Sequence, residues 1–216
     1  MDLLLCPSLL NLTVENYAHE IAELDHAGSD IFHIDIMDGL FVPNFGMGLP
    51  ELATVRALTK KPVDVHLMIT DPIRYVELFA KKGADIIYVH PEADIHPART
   101  LAKIRSLGKQ PGIAMNPGTS IESVRELFAL VDYILVMTVN PGFAGQAFLD
   151  YVEPKVMRLI EMKKEYGYKI VIDGGVNREN LTRLYRAGAE GYVMGIDILF
   201  KQNEDYKTIM DSLREI

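Results

Sequence analysis

A chain of 216 residues, 49% hydrophobic and 24% charged with a net charge of −8, has the composition of a globular protein of α/β-barrel size. The negative balance argues against nucleic acid or an anionic membrane as main partner, but leaves room for a small anion held by local backbone N–H groups. One cysteine, Cys6, excludes an internal disulfide framework, and the apolar amino-terminal run is too short for a membrane span and lacks a signal peptide's basic front, so a cytoplasmic location is expected.

Short β-rich apolar runs alternate with longer amphipathic segments. The first strand is expected at 3–8, "LLLCPS", with Cys6 as a small core residue. A helical pattern, "VENYAHEIAELDHAG", follows and closes on Gly28; His19 and His26 on it read as ordinary surface or packing groups. Strands are then expected at 31–36, 62–68, 85–90, 110–116, 133–139, 169–175 and 191–196. Between them, "DPIRYVELFAKKGA" closes on Gly83 and "NRENLTRLYRAGAE" on Gly188, while Gly108 precedes the fifth strand, as left-handed helix caps would.

Eight strands alternating with eight helices predict βαβ units and a parallel sheet. No linker, charge block or low-complexity tract interrupts them, so residues 1–216 are expected to form a single (β/α)8 domain, a TIM barrel. An open doubly wound sheet would carry a Gly-rich turn after its first strand. Here "SLLNLTVEN" follows, without glycine.

Barrel chemistry collects where strands end. Residues two apart on a strand share a face, so His33 and Asp35 point together, and Asp64, His66 and Met68 do the same on the third strand. Asp173 ends the seventh strand. Asp38, before Gly39, reads as a turn former. Two histidines and two carboxylates crowded at one rim would cost roughly several kcal/mol each unless paired or metal-bound. A divalent cation resolves that crowding, and mixed imidazole and carboxylate ligands suit Zn, Fe, Mn or Co better than Mg or Ca.

The last three strands lead into glycine-bearing loops: "VNPGFAGQAF" with Gly142 and Gly145, "DGGVNREN" running into a helix, and "VMGIDILF". Such loops let backbone N–H groups approach an oxyanion, helped by the following helix N-termini. A small phosphorylated metabolite is the expected ligand.

Taken together, "PSLL" (7–10), "HIDIMDGLFVPN" (33–44), "DVHLM" (64–68), "MTVNPGFAGQAF" (137–148) and "IDGG" (172–175) closely resemble the ribulose-phosphate 3-epimerase family, from the first strand to the eighth. The resemblance implies a ribulose-phosphate-binding TIM barrel that inverts C3 of a ketose phosphate with one divalent metal ion, zinc first and iron, manganese or cobalt next. It implies His33, Asp35, His66 and Asp173 as metal ligands, with Asp35 and Asp173 as the two acid–base groups. Ser8 would contact the sugar, with Met37, Met68 and Met137 lining the pocket beside His66. Phosphate would meet Gly142, Phe143, Ala144 and Gly145, near Gly174, Gly175, Gly195 and Ile196. A homo-oligomer, dimer or hexamer, is implied as well.

The chain departs from the family's pattern at two places. Leu40 stands where many members have His, and Ile196 where a phosphate-binding hydroxyl is usual. "VHPEAD" (89–94) resembles the allulose-6-phosphate 3-epimerase branch, so D-ribulose 5-phosphate and D-allulose 6-phosphate both stand as candidate substrates. A barrel lyase of the orotidine-decarboxylase type would need Asp-x-Lys-x-x-Asp, whereas this chain reads "DIMD". A non-catalytic sugar-phosphate sensor would be expected to lack a ligand or a carboxylate that is present here.

Overall fold

The computed structural model describes residues 2–200 and 202–216. Eight strands, β1 (Leu4–Pro7), β2 (Phe32–Met37), β3 (Val63–Met68), β4 (Ile86–Val89), β5 (Gln110–Met115), β6 (Tyr133–Met137), β7 (Lys169–Asp173) and β8 (Gly191–Met194), pair in parallel in the order β1-β8-β7-β6-β5-β4-β3-β2. Helices α1 (Tyr17–Ala27), α2 (Leu49–Leu58), α3 (Val76–Lys82), α4 (Pro97–Ser106), α5 (Ile121–Val124), α6 (Glu153–Tyr166), α7 (Arg178–Ala187) and α8 (Tyr206–Arg214) alternate with them. This is the expected TIM barrel. No helix among the described residues is long and apolar enough to cross a membrane.

The seam between β1 and β2 closes differently from the rest of the sheet. Asp30 N–H donates to Leu5 O at 3.0 Å, and Leu5 N–H donates to the Asp30 carboxylate at 2.8 Å. A side chain thus stands in for a strand carbonyl. Arg214, at the end of α8, grips the same place, donating to Leu3 O, Gly28 O and Asp30 Oδ2. One rung higher, Ser8 and His33 form a parallel bridge, which sets Ser8 beside the residues of β2.

Alternation along the strands sorts two cores. Phe32, Ile34 and Ile36 of β2 and Val63, Val65 and Leu67 of β3 face outward to the helices, in the larger apolar layer. That layer receives the buried stripe of α1, Tyr17, Ile21, Leu24 and Ala27, spaced at three and four residues. A smaller cluster fills the barrel: Cys6, Ile86, Tyr88, Ala114, Tyr133, Leu135, Val171 and Val193 among others. Cys6 is fully buried there, as a core residue, while His19 and His26 lie exposed on α1.

Seven of the eight described strands fall inside the expected segments, with small corrections at their ends. The second runs one residue further, to Met37. The seventh stops at Asp173, because Gly174 and Gly175 take φ of 113° and 61° and turn the chain out of the sheet. The eighth stops at Met194, and Ile196–Phe200 coil into a wide π-type turn instead of continuing the strand. The helix expected from 14 begins as a 3-10 turn, Val14–Asn16, and the one expected from 71 begins as Pro72–Arg74. Gly28, Gly83 and Gly188 cap their helices at positive φ, as the spacing predicts.

Candidate active site

β2, β3 and β7 deliver the polar residues to the carboxyl-terminal rim. Register pairs His33 with Asp64 and Asp35 with His66, so two rungs of one ladder carry four ionisable side chains inward. His33 Nε2 lies 3.3 Å from Asp35 Oδ1 and 3.8 Å from Asp173 Oδ2. His66 Nδ1 lies 3.2 Å and 3.5 Å from those same two oxygens. Ligand atoms of His33, Asp35, His66 and Asp173 all fall within 4.8 Å of one another.

The outward nitrogens are taken. His33 Nδ1 lies 2.7 Å from Asp64 Oδ1, and His66 Nε2 lies 2.8 Å from His90 Nε2. That leaves one nitrogen of each imidazole and one oxygen of each carboxylate turned toward a common centre. Two imidazoles and two carboxylates in such a set could hold a divalent cation.

The electrostatics follow from burial and pairing. Burial opposes a charged His33, yet Asp64 and Asp35 outweigh it and hold its pKa well above the usual range. His66 is likewise raised, burial being overcome by Asp173 and Asp35. Burial alone would raise Asp35, but His33 and His66 drive it below the ordinary carboxylate value. Asp64 is pushed up by burial, which His33 only partly offsets. His90, dry and beside another imidazole, is pushed down to about 4. Burial would raise Glu92, but the neighbouring His90 and a hydrogen bond from Thr119 hold it down to about 2. Protons would therefore compete with any cation for the same lone pairs.

Above this cluster opens a cleft to the solvent. Asp35, Asp173, Met37, Met68 and Met137 form its floor, and Ser8, Leu10 and Asn11 one wall. Ser8 Oγ donates to Asp35 Oδ2 at 2.9 Å. The rest of its lining is glycine-rich: Gly142, Phe143, Ala144 and Gly145, then Gly174 and Gly175, then Gly195 and Ile196. Ile196 reaches Gly145, where an added Cβ would sit 3.8 Å from its Cδ1.

Local hydrogen bonds shape these loops. Gln146 Nε2 donates to Asn140 O at 2.6 Å and Phe143 O at 2.8 Å, folding residues 140–146 back on themselves. Buried Thr138 donates through Oγ1 to Asp173 O and Gly174 O, which fixes the end of β7. A second loop, 38–45, crosses toward them, and Asn44 Nδ2 donates to Gly142 O at 2.7 Å. Asp38 organises that loop by accepting from the N–H groups of Leu40, Phe41 and Thr70. It is the turn former that the sequence suggested.

Every expected site residue is therefore at this one rim. Met37, Met68 and Met137 share the floor, while His33 and His66 lie beneath it, fully buried. Leu40 stands on the outer loop, 81% exposed. Asp64, His90 and Glu92 support the cluster without having been assigned a role from sequence. Asp64 was legible by parity with His66. His90 was not, because its partner lies on another strand.

A profile of the ribulose-phosphate 3 epimerase family matches residues 4–199. The Ribulose-phosphate 3-epimerase of Bacillus subtilis is 41% identical over 208 residues, covering 95% of each chain. That of Synechocystis sp. is 44% identical over 198 residues, 90% of this chain and 86% of the other. Among solved structures, 3-keto-L-gulonate-6-phosphate decarboxylase from Vibrio cholerae superposes with a TM-score of 0.74 at 14% identity, covering 100% of this chain and 97% of that one, a likeness of fold alone. The chain belongs to the ribulose-phosphate 3-epimerase family.

Proposed function

We propose that this protein inverts C3 of D-ribulose 5-phosphate, giving D-xylulose 5-phosphate, with one divalent cation and two carboxylates. The observation that supports it is the convergence of Asp35 and Asp173, from two different strands, on one centre beneath a cleft lined by glycine-bearing loops. His33, Asp35, His66 and Asp173 would hold the cation. When bound, it supplies Lewis acidity that makes the proton beside the substrate carbonyl removable.

Inversion needs a proton taken from one face of the carbon and another returned to the opposite face. Asp35 and Asp173 would do this in opposite protonation states, exchanging roles with the direction of reaction. Ser8, hydrogen-bonded to Asp35 Oδ2, orients that carboxylate. His33 and His66 hold rather than move protons, since both nitrogens of each ring face fixed partners. The three methionines present a polarisable wall that excludes water without competing for protons. Phosphate would meet the glycine loops after β6, β7 and β8.

The five-carbon substrate is favoured over the six-carbon one. Relatives at 38–44% identity carry the ribulose-phosphate name. The "VHPEAD" segment that pointed elsewhere places His90 behind His66, fully buried and away from the cleft walls. Side-by-side kinetics on D-ribulose 5-phosphate and D-allulose 6-phosphate with metal-loaded protein test this choice, with the pentulose expected to be turned over faster. Asp35→Asn and Asp173→Asn are each expected to lose at least about 100-fold in turnover. Near-normal turnover in both variants would defeat the two-carboxylate reading.

A further inference from the structure

The two imidazoles of the cation site are braced by different chemistry. His33 Nδ1 faces a fully buried carboxylate, Asp64, at 2.7 Å. His66 Nε2 faces another imidazole, His90 Nε2, at 2.8 Å. Two ring nitrogens at that distance share one hydrogen, so one must donate and the other accept. The cation would take the lone pair of His66 Nδ1, the nitrogen turned toward Asp35 and Asp173. A ligating nitrogen carries no hydrogen, which puts the His66 proton on Nε2 and obliges His90 to accept it.

Left to itself, His66 has reason to choose the other tautomer. Two carboxylate oxygens at 3.2 Å and 3.5 Å invite an N–H on Nδ1, and that arrangement blocks the cation. His90 is the opposing influence, because an acceptor at Nε2 rewards the ligating tautomer. Its own hydrogen then belongs on Nδ1, where Glu92 Oε2 lies 3.6 Å away, an electrostatic contact rather than a direct hydrogen bond. Glu92 is itself fixed, accepting from Thr119 Oγ1 and from Asn116 N–H. The fully buried His90 ring also packs against Phe41, centroid to centroid 4.7 Å.

We infer that His90, oriented by Glu92, is a positioning residue that sets the tautomer of His66 and thereby readies Nδ1 for a divalent cation. The inference rests on the cation-dependent reading above, but its test does not depend on turnover. Full-length protein is stripped of metal and titrated with Zn²⁺ against a chromophoric chelator, and its Co²⁺ absorption spectrum is recorded. His90→Phe keeps a ring against Phe41 but offers no acceptor; its Zn²⁺ affinity is expected to fall about 10- to 100-fold, with a changed Co²⁺ spectrum. His90→Gln restores an acceptor oxygen and is expected to recover most of that loss.

Zn²⁺ affinity in His90→Phe equal to wild type overturns the inference. So does a Gln variant as weak as the Phe variant. Should the Phe variant fail to fold, ¹⁵N spectra of histidine-labelled, Zn²⁺-loaded wild type decide the matter. A protonated His66 Nε2 facing an unprotonated His90 Nε2 supports it, and the reverse overturns it. Wild-type protein that takes up no divalent cation defeats the earlier reading as well, whereas tight binding with a silent His90→Phe defeats this inference alone.

Discussion

Asp64 has no solvent contact, and its nearest ionisable partner is His33. It holds His33 at 2.7 Å from the side away from the cleft. Removing one partner of a buried pair typically costs about 3–5 kcal/mol, because the other is left dry and unmatched. Asp64→Ala is expected to lose that order of stability in urea unfolding, and a loss under about 1 kcal/mol would show that the contact carries little. Asp38 works at the surface in a gentler way. Burial works to raise its pKa, but the N–H groups of Thr70, Phe41 and Leu40 together prevail and hold it below the ordinary value. A carboxylate depressed in the folded state stabilises above its unfolded pKa, and that contribution is lost as pH falls through the folded value. Asp38→Asn should therefore cost about 1–2 kcal/mol at pH 7, and the gap from wild type should shrink below about pH 4. A gap constant from pH 7 to pH 3 would contradict this assignment. Residues like these show where sequence reading stops. Parity placed Asp64 beside His66 on one face, but that Asp64 serves His33 is a matter of register between strands, which no single strand records.

At the scale of elements, the ends of β6 and β7 decide the shape of the cleft. Thr138 ties the carbonyls of Asp173 and Gly174 to β6, and the following glycine pair turns sharply away. At Gly175, with φ of 61°, an added Cβ would lie 2.4 Å from the backbone nitrogen of Phe148. Backbone cannot yield as a side chain can, so Gly175→Ala should push the loop after β6 outward. The expected result is a raised KM for the phosphorylated substrate with a smaller change in kcat, and an unchanged KM would count against the loop as phosphate site. Gly112 in β5 has a different duty, since a Cβ there would meet Tyr88 at 2.4 Å. Gly112→Ala should overpack the barrel interior and destabilise by about 1–3 kcal/mol, read from the denaturation midpoint. The strands themselves were legible, because apolar runs bounded by capping glycines fix where a parallel strand can lie. Their ends were less so: Gly195 and Ile196 look strand-like by hydropathy, and only the coiling of Ile196–Phe200 takes them out of the sheet.

For the whole molecule, the candidate cation site joins residues of three separate strands, β2, β3 and β7. An ion that binds only when they are assembled stabilises the fold by mass action, about 2.7 kcal/mol at a hundredfold excess over Kd. For a chain of this length that corresponds to roughly 5–10 °C in Tm. Zinc should raise Tm by that order in the wild type, a chelator should reverse it, and His33→Ala with His66→Ala should abolish it. A Tm indifferent to metal would argue against the site. The architecture and the clustering of His33, Asp35, His66 and Asp173 were readable because each rests on short-range pattern: alternation, strand ends and motif. The support behind them was not, since it depends on which strands become neighbours when the barrel closes.

The seam held by Asp30 and Arg214 bears on how the protein is made. Strand β1 pairs with β8, and its other edge is clasped by a residue at the far end of α8. A nascent chain short of that point has Ser8, Asp35 and His66 already synthesised but no ring to hold them in register. Closure of the ring around that rim thus depends on a helix translated long after the residues it holds in register.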